Sequence, residues 1–504
     1  GINDMKVAQA VKAGLLDEEV LNTGVLRLLK LIYKCHENKK DFKANFEEHH
    51  LLARKAAAQS AVLLKNDNLL PIKAKEKICV IGEFAKITRY QGGGSSHIIS
   101  TKIDNAYDEI VKINQLSNSN EIKYAIGYKI DEPKTDYNLI ENALQIAEGC
   151  DKIVVFAGLP DSFESEGYDR KTLEIPQCQN DLITALCQKN KNVIVVLYNG
   201  APIVMPWKNQ VGAILTCYLA GQAVGGAVAD LLFGKSVPCG KLSETYPEKI
   251  EDTPCFLSFP GYMDSSIYTE DIFVGYRYYD KKKIQPAFSF GFGLSYSSFE
   301  YSNFKISSNT LKENEKITVS FVIKNVGDFD ANEIVQLYSG KSNPKFSCCE
   351  KDLKAFKKVF IKKGESICVD MLLSFDDLAE YNNADKRVVT ESGDYKIIIA
   401  ASSRNEDIKF KDKINVVSNF KESYIFHRNS TILDLVSNPK GKEIFDKIVK
   451  NNPEIIDMVF NGMEDDGSSF KQEMINNTTL RSLVYFSMGK FSEEMLENLL
   501  EEMK

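Results

Sequence analysis

Four short stretches of the chain are almost wholly apolar and rich in valine and isoleucine. They are residues 77–82, 152–158, 192–200 and 212–221. Runs of this length and composition are typical of strands that are buried on both faces of a mainly parallel sheet. Helical patterns over residues 179–190 and 225–234 follow two of the runs. This alternation predicts a layered α/β domain with right-handed crossovers, in which ligands bind beyond the carboxyl ends of the strands.

Helical spacing dominates the N-terminal part of the chain. Apolar residues recur three and four positions apart within residues 4–35, which is the period of one face of a helix. Gly14 is expected to end the first helix, and Asp17 is expected to cap the second. A further helix is predicted over residues 49–66, closing before Pro71.

A different pattern begins near residue 300. Apolar and polar residues alternate within the stretches 316–328, 333–340, 365–373 and 393–402. Such alternation predicts an antiparallel β-sandwich of about 110 residues. From about residue 420 onward the pattern is helical and charged. The fold class is therefore α/β: a mainly parallel α/β-sandwich domain, then an antiparallel β-sandwich, then a helical C-terminal extension.

Size and charge limit the classes of function. A chain of 504 residues is too long for one ordinary core, so roughly two to four domains are expected. The composition is 43% hydrophobic and 26% charged with a net charge of −7, which provides no basic field for nucleic acid or anionic membranes. An apolar run of about 18 residues is absent, so no membrane span is predicted. The N-terminal stretch, which starts with Gly, lacks the features of a signal peptide.

The cysteines and histidines indicate neither a disulfide framework nor a metal centre. Eleven cysteines are scattered without a CxxC pair, and Cys348 and Cys349 are adjacent neighbours of a kind that rarely bridge. A reducing compartment follows, and with it a cytoplasmic location. Five histidines, of which only His49 and His50 lie together, favour the absence of a metal site.

Residues 162–170 place three carboxylates around one glycine, directly after an apolar run. Glu164, Glu166 and Asp169 repel one another, and each loses hydration if the segment packs against the domain. A solvated surface loop is one interpretation. A site for acid–base chemistry is the other, because partial burial and a neighbouring negative charge both raise the pKa of a carboxyl group that must donate a proton.

Five blocks of sequence, taken in order, resemble glycoside hydrolase family 3 of the β-glucosidase type. They are residues 60–72, 80–98, 164–183, 219–247 and 268–302. The resemblance implies that the chain is the C-terminal portion of such an enzyme and lacks most of the catalytic barrel. The implied segments are the helical end of a (β/α) barrel (1–45), the α/β-sandwich (46–258), an interdomain connection (259–299), a fibronectin type III-like domain (300–418) and a helical C-terminal extension (419–504).

The resemblance also assigns catalytic roles. The family's nucleophile is an Asp in a Ser-Asp-Trp context on the barrel; that motif is absent here, since Trp207 is the single tryptophan and no Ser-Asp precedes it. The general acid/base of the family maps onto Glu166, for which a raised pKa is expected. Glu164 stays open as an alternative donor. Gly167 is expected to let the segment turn sharply and bring Glu166 over the mouth of the partner domain.

The segment contains two further pairs of candidate residues. Asp169 and Arg170 are interpreted as an opposite-charge pair that braces the segment against residues 89–96. Phe163 and Tyr168 either stack on a sugar at the leaving-group side or pack within the loop. Consecutive glycines at 92–94 do not fit a nucleotide-binding fingerprint, which needs spaced glycines at the start of a helix. No cofactor is expected.

Three functions are compatible with these observations. The first is the C-terminal part of a retaining, exo-acting β-glucosidase that acts on a glucoside or small oligosaccharide, with its partner barrel outside this sequence. The second is a β-xylosidase or α-arabinosidase specificity on the same scaffold. The third is a non-catalytic carbohydrate-binding remnant. We expect no nucleic-acid or membrane partner, and a homodimer through the sandwich and helical tail is compatible with the sequence.

Overall fold

A computed structural model divides the chain into two compact units. The residues that it describes are 3–40, 43–116, 122–344, 348–383, 385–421, 425–452, 455 and 470–503. Unit 1 comprises Gly1–Leu242, Tyr246–Asp252 and Gly293–Tyr296. Unit 2 comprises Ser243–Thr245, Thr253–Phe292 and Ser297–Lys504. The two units are coarser than the five segments expected from the sequence, whose boundaries stay predictions.

Unit 1 is built on a six-stranded sheet with the strand order β1-β6-β5-β4-β2-β3. The strands are β1 Val62–Asn66, β2 Ile78–Ile81, β3 Lys123–Ala125, β4 Lys152–Gly158, β5 Val193–Tyr198 and β6 Ala213–Thr216. All neighbouring strands are parallel except β1, which is antiparallel to β6. Every residue of β4 and β5 is buried, as continuous Val/Ile runs require in a sheet covered on both faces. The prediction of a mainly parallel sheet is confirmed.

The helices of unit 1 precede the strands or alternate with them along the chain. They are α1 Asp4–Lys12, α2 Glu18–Glu37, α3 Phe46–Ser60, α4 Ala106–Leu116, α5 Tyr137–Ala147, α6 Gln177–Lys189 and α7 Val224–Leu232. Gly14 follows α1 with a positive φ of 70°, and the Asp17 side chain accepts a hydrogen bond from the Glu19 amide, so both predicted helix boundaries are confirmed.

The helix predicted over residues 49–66 is wrong in its last third, residues 61–66. The helix α3 ends at Ser60, and Val62–Asn66 forms the antiparallel edge strand β1. The side chains of Val62, Leu63 and Leu64 are buried, because pairing with β6 places this apolar run within the core. A short apolar run fits a helix or a strand equally well, and only the pairing decides between them.

The sandwich of unit 2 consists of two main sheets and a small hairpin. Its strands are β7 Phe299–Ile306, β8 Thr310–Lys312, β9 Lys316–Asn325, β10 Ala331–Lys341, β11 Asp352–Ile361, β12 Ser366–Ser374, β13 Glu380–Asn382, β14 Arg387–Val389, β15 Gly393–Ala400 and β16 Ile408–Val417. The sheet orders are β11-β10-β15-β16-β8 and β12-β9-β7, with β13 paired to β14. Alternate residues such as Ile317, Val319 and Phe321 point into one core, so the predicted alternation is confirmed.

Helices of unit 2 lie before and after the sandwich. They are α8 Tyr276–Lys282, α9 Ile432–Ser437, α10 Pro439–Asn451, α11 Phe470–Asn477, α12 Leu480–Phe486 and α13 Glu493–Met503. The helices after the sandwich enclose a small core of their own around Leu435, Leu480 and Leu496. Short 3₁₀ turns occur at Glu83–Ala85, Ile250–Asp252, Asp376–Leu378 and Asn405–Asp407. Within the described ranges, no helix has both the length and the apolar character to cross a membrane.

Candidate active site

The candidate site lies where the chain changes direction across the sheet of unit 1. From β2 the chain passes to β3 on one side, and then crosses to β4 on the other side of β2. The strands β2 and β4 are parallel neighbours, so the segments that follow them leave the same edge of the sheet. A crevice at such a switch point is the usual ligand site in an open α/β sheet. Residues 89–96 and 162–170 are both located on these two segments.

Arg89 connects the two segments. Its buried guanidinium donates hydrogen bonds to Asp161 Oδ1 at 3.1 Å, to Glu164 Oε2 at 3.0 Å and to the Glu164 carbonyl at 2.7 Å. It also donates to the carbonyl of Leu159. A planar fork with five donors suits this set of convergent acceptors. Arg89 therefore holds the start of the acidic segment against the loop after β2.

Glu164 is held in place by cationic and backbone groups. Besides Arg89, the backbone amide of Gly200 donates to Glu164 Oε2 at 2.8 Å, and Arg170 Nη1 lies 4.0 Å from Oε1. The Glu164 side chain is only 16% exposed. The Glu164 carboxylate is therefore held in a fixed position by groups from the loop after β2 and from the turn after β5.

Glu166 lies in a different environment two residues further on. Its side chain is exposed, and Oε2 accepts a hydrogen bond from the backbone amide of Ser95 at 2.7 Å and another from the Ser95 hydroxyl. The pKa of Glu166 is lowered, because these hydrogen bonds from the Ser95 hydroxyl and amide stabilise the ionised form. The expectation of a raised pKa is therefore wrong for the carboxyl group in this structure, where burial is too slight to outweigh the two donors.

Glycines permit the close approach of the two segments. A Cβ at Gly94 would lie 2.6 Å from Glu166 Cβ, and one at Gly93 would lie 2.4 Å from Ser165 Oγ. Gly94 also has a positive φ of 90°, which favours glycine. Gly167 has a positive φ of 94° with open space around it, so the predicted sharp turn after Glu166 is confirmed.

The remaining predicted residues have contacts of their own. Arg170 donates to the carbonyl of Pro202 at 2.9 Å, so it braces the segment against the turn after β5, whereas the contacts with residues 89–96 come from Arg89 and Glu166. Asp169 is exposed. Tyr168 is exposed and donates to the carbonyl of Asp161, while Phe163 is half-buried. Stacking of Phe163 and Tyr168 on a sugar stays a prediction.

Three residues with clear roles in this geometry are missing from the sequence-based assignment. They are Arg89, Ser95 and Asp161, of which the first two lie within residues 89–96. The available signal is that Arg89 and Ser95 flank consecutive glycines. Their partners Glu164 and Glu166 lie about 70 residues further along the chain, so the sequence alone does not connect them. No cluster of three or more His, Cys, Asp or Glu side chains suited to a metal ion occurs in the part of the chain that the structure describes.

Comparison with known families gives this domain its class. Residues 61–296 match the glycosyl hydrolase family 3 C-terminal domain, and residues 333–403 match the fibronectin type III-like domain. The sheet with the acidic segment at its switch point is thus the C-terminal α/β domain of a glycosyl hydrolase. The chain belongs to glycoside hydrolase family 3, and the resemblance noted in the sequence is confirmed.

Several relatives extend beyond the region that this chain matches. The chain is 44% identical over 505 residues to thermostable beta-glucosidase B of Acetivibrio thermocellus, covering 100% of this chain and 66% of that protein. It is 35% identical over 418 residues to an exo-alpha-(1->6)-L-arabinopyranosidase of Bifidobacterium longum, covering 80% of this chain and 54% of that protein.

A solved structure shares the fold. The crystal structure of a family 3 beta-glucosidase from Bifidobacterium adolescentis is similar with a TM-score of 0.80 and 34% identity, over 88% of this chain and 65% of that one. The chain therefore spans between about half and two thirds of the length of these relatives.

Proposed function

We propose that this chain is the C-terminal part of a retaining, exo-acting β-glucosidase that hydrolyses terminal non-reducing β-D-glucosyl residues. In this proposal Glu166 is the general acid/base, and the Asp nucleophile lies on a barrel outside this sequence. The observation that carries the proposal is the contrast between the two glutamates. Glu164 is fixed by Arg89 and the Gly200 amide, whereas Glu166 is exposed at the switch-point edge.

The proposed chemistry needs a proton to move in both directions through Glu166. Retaining hydrolysis uses two carboxyl groups about 5–5.5 Å apart. As the nucleophile bonds to the anomeric carbon, the protonated Glu166 gives its proton to the departing glycosidic oxygen. The ionised Glu166 then takes a proton from water, and the water oxygen displaces the nucleophile from the sugar.

Protonation of Glu166 before the first step requires a change in its surroundings. Its lowered pKa belongs to an exposed side chain that accepts two hydrogen bonds. A barrel and a bound aglycone covering that side chain would remove water from it, and loss of hydration favours the neutral carboxylic acid. The covering wall would thus supply the desolvation that this chain alone does not.

Apolar side chains at the N-terminal end of unit 1 support a covering domain. The helix α2 has no buried residue, and Val25, Leu28, Leu29 and Ile32 on it are all exposed. A helix with such an apolar stripe ordinarily packs against a partner. The greater length of the matched relatives agrees with a further domain in the whole enzyme.

A second specificity has support from one relative. The 35% identical protein of Bifidobacterium longum is named an arabinopyranosidase, so an α-arabinosidase or β-xylosidase activity on the same scaffold is the alternative proposal. The general acid/base would be the same in either case. A screen of aryl β-glucosides, β-xylosides and α-L-arabinosides with the full gene product separates these activities.

Substitution of each glutamate in the barrel-containing enzyme tests the acid/base assignment. Glu166→Ala should lower kcat/KM on glucosides with poor leaving groups by about 100-fold or more, because their departure needs a proton. Azide should restore turnover of glucosides with good leaving groups, since the second step then needs no general base. Glu164→Ala is the matched variant. If Glu164→Ala alone shows azide rescue, the assignment of Glu166 is wrong.

The cellular setting belongs to the same proposal. We place the enzyme in the cytoplasm, and the free thiols of all eleven cysteines agree with a reducing compartment. Its partners would be a small oligosaccharide or glucoside and the barrel. Fractionation of cells that produce the enzyme, with an immunoblot of each fraction, tests the location.

A further inference from the structure

The loop after β2 that contains Gly92–Gly94 contacts Glu166, the general acid/base of the proposed function. The Ser95 amide and hydroxyl both donate to Glu166 Oε2, and the Glu166 amide donates to the Gly93 carbonyl at 3.4 Å. The proposed function assigns no task to this loop. Its contacts nevertheless converge on one carboxylate oxygen from backbone and side chain together.

The shape of the loop fits Glu166 closely. At Gly94 a Cβ would lie 2.6 Å from Glu166 Cβ and 2.9 Å from Glu166 Oε2. At Gly93 it would lie 3.0 Å from Ser165 Cβ. Any side chain at these two positions would therefore push the 165–166 backbone and the carboxylate away from Ser95. The glycines make room for the glutamate, and the serine supplies its donors.

We propose that residues 93–95 form a seat for the ionised carboxylate of Glu166, with Ser95 as the positioning residue that holds it. This inference rests on the proposed function of Glu166. In the seat, both donors favour the charged form, which is the form that must take a proton from water in the second half of the reaction. Proton donation in the first half then needs the carboxyl group to lose part of this support.

Four ionisable groups near the seat, Arg89, His97, Asp161 and Glu164, form ion pairs among themselves. Among the described residues, none of the ion pairs involves Glu166; Arg89 pairs with Asp161 and Glu164, and His97 Nε2 lies 3.8 Å from Asp161 Oδ2. The turn after β5, residues 199–206, carries no ionisable side chain. The ionisable groups of the two segments, from 89 to 97 and from 161 to 170, are Arg89, Tyr90, His97, Asp161, Glu164, Glu166, Tyr168, Asp169 and Arg170.

Chemical labelling of the 504-residue chain tests the seat without any catalytic activity. A water-soluble carbodiimide with an amine activates protonated carboxyl groups, and tryptic peptide 153–170 contains Glu166 together with Asp161, Glu164 and Asp169 as internal references. At about pH 5.5, labelling of Glu166 should rise about threefold in Ser95→Ala, because one donor to the ionised form is gone.

Two further variants make this result specific. Ser95→Thr keeps the hydroxyl and should label like the wild type. Ser96→Ala is the matched control, since the Ser96 hydroxyl donates to the Gly92 carbonyl at 3.2 Å. Equal labelling of Glu166 in the wild type and in Ser95→Ala would show that Ser95 does not hold the ionised carboxylate, and the proposed seat would be wrong. Circular dichroism of each variant confirms that the fold is retained.

Kinetics of the barrel-containing enzyme separates this inference from the proposed function. If Glu166 is the donor, Ser95→Ala should move the alkaline limb of the pH profile of kcat/KM to higher pH, and Ser95→Thr should restore it. If the labelling of Glu166 rises while the alkaline limb does not move, the seat holds and the role of Glu166 as donor fails. If the labelling does not rise, the seat fails whatever the profile shows.

Discussion

Arg54 lies among three carboxylates that belong to different parts of unit 1. Its guanidinium donates to both Asp230 oxygens, at 2.6 and 2.8 Å, and to Glu109 Oε2 at 2.7 Å, while Asp104 Oδ2 lies 4.0 Å away. These contacts connect α3 with α4, with α7 and with the loop before α4. Hydrogen-bonded acids around one arginine stabilise its charge, so the pKa of Arg54 is raised above its ordinary value by Asp230 first and Glu109 next, against the effect of burial.

Replacement of Arg54 by Met should destabilise unit 1 by about 3 kcal/mol, because it leaves carboxylates uncompensated within a partly buried site. Trp207 is fully buried in unit 1 and is the single tryptophan, so its fluorescence during urea unfolding reports on this unit. Lys55→Met is the matched control, since Lys55 is exposed on the same helix and should change little. If Arg54→Met lowers the free energy of unfolding no more than Lys55→Met does, the expectation is contradicted.

Glu109 makes the stability of unit 1 depend on pH. Burial alone would raise its pKa, but hydrogen bonds from Lys112 and Arg54 outweigh burial and lower the pKa below the ordinary value of 4.5. A carboxyl group whose pKa is lower in the folded state adds stability above its unfolded pKa, and this contribution disappears as the pH falls through the folded pKa.

The urea midpoint of Trp207 fluorescence in the wild type should therefore fall as the pH is lowered from 4.5. Glu109→Gln keeps the shape of the side chain but removes the titration, so its midpoint should fall less steeply over the same range. A set of urea titrations at closely spaced acidic pH values measures both slopes. Identical slopes in the two proteins would show that Glu109 does not contribute.

At the scale of elements, the start of the acidic segment after β4 is held by Arg89 from the segment after β2. Arg89 donates to groups of Leu159, Asp161 and Glu164. The amides of Phe163 and Glu164 also bond to the Pro160 carbonyl, at 2.9 and 3.2 Å. The start of the segment is thus a compact turn that Arg89 connects to the loop after β2.

Arg89→Lys should loosen this turn while leaving the sheet intact, because a lysine lacks the planar fork that meets several acceptors at once. Hydrogen exchange with mass spectrometry should show faster exchange of the amides of residues 163–166. Exchange within β4, Lys152–Gly158, should be unchanged. Lys102→Arg, at an exposed position on the loop after β2, is the control variant. Unchanged exchange over 163–166 would contradict the role of Arg89.

An element can be predicted from the sequence when its signal is local, and it is missed when its pairing partner lies far along the chain. The buried run at residues 192–200 predicts β5 to within two residues of Val193–Tyr198, because burial on both faces leaves a strong local signal. The edge strand Val62–Asn66 is missed because its partner β6 lies about 150 residues away. The three residues of β3, Lys123–Ala125, are too few to show a period.

The candidate site likewise has one part that the sequence predicts and one part that it does not. Crowded carboxylates and a glycine are visible within residues 162–170, so the segment itself can be identified from the sequence. The difference between Glu164 and Glu166 cannot, because their partners Arg89 and Ser95 belong to another strand's loop. Local sequence thus identifies the acidic segment, and tertiary contacts decide the surroundings of each carboxylate in it.

At the scale of the whole molecule, the chain carries the candidate active site and also has helices, α2 and α3, with exposed apolar side chains. Leu28 and Leu29 on α2 are 58% and 54% exposed, and Leu51 and Leu52 on α3 are 63% and 65% exposed. Apolar surface of this kind is typical of an interface with another domain or chain. It agrees with a proposal in which the catalytic cavity has one wall here and another on a barrel.

The proposed separation of the general acid/base from the nucleophile leads to a prediction for the purified 504-residue chain. It should not hydrolyse aryl β-glucosides above background, because the proposed nucleophile is not among its residues and Glu166 alone supplies only the proton. The barrel-containing gene product should hydrolyse them under the same conditions. The release of nitrophenol from a nitrophenyl glucoside, followed by absorbance, measures both. A Glu166→Ala chain distinguishes contaminating activity, since turnover that persists in this variant does not depend on Glu166. Turnover by the chain that disappears with Glu166→Ala would show that the second carboxylate lies within this sequence, and the proposal of a nucleophile on the barrel would then be wrong.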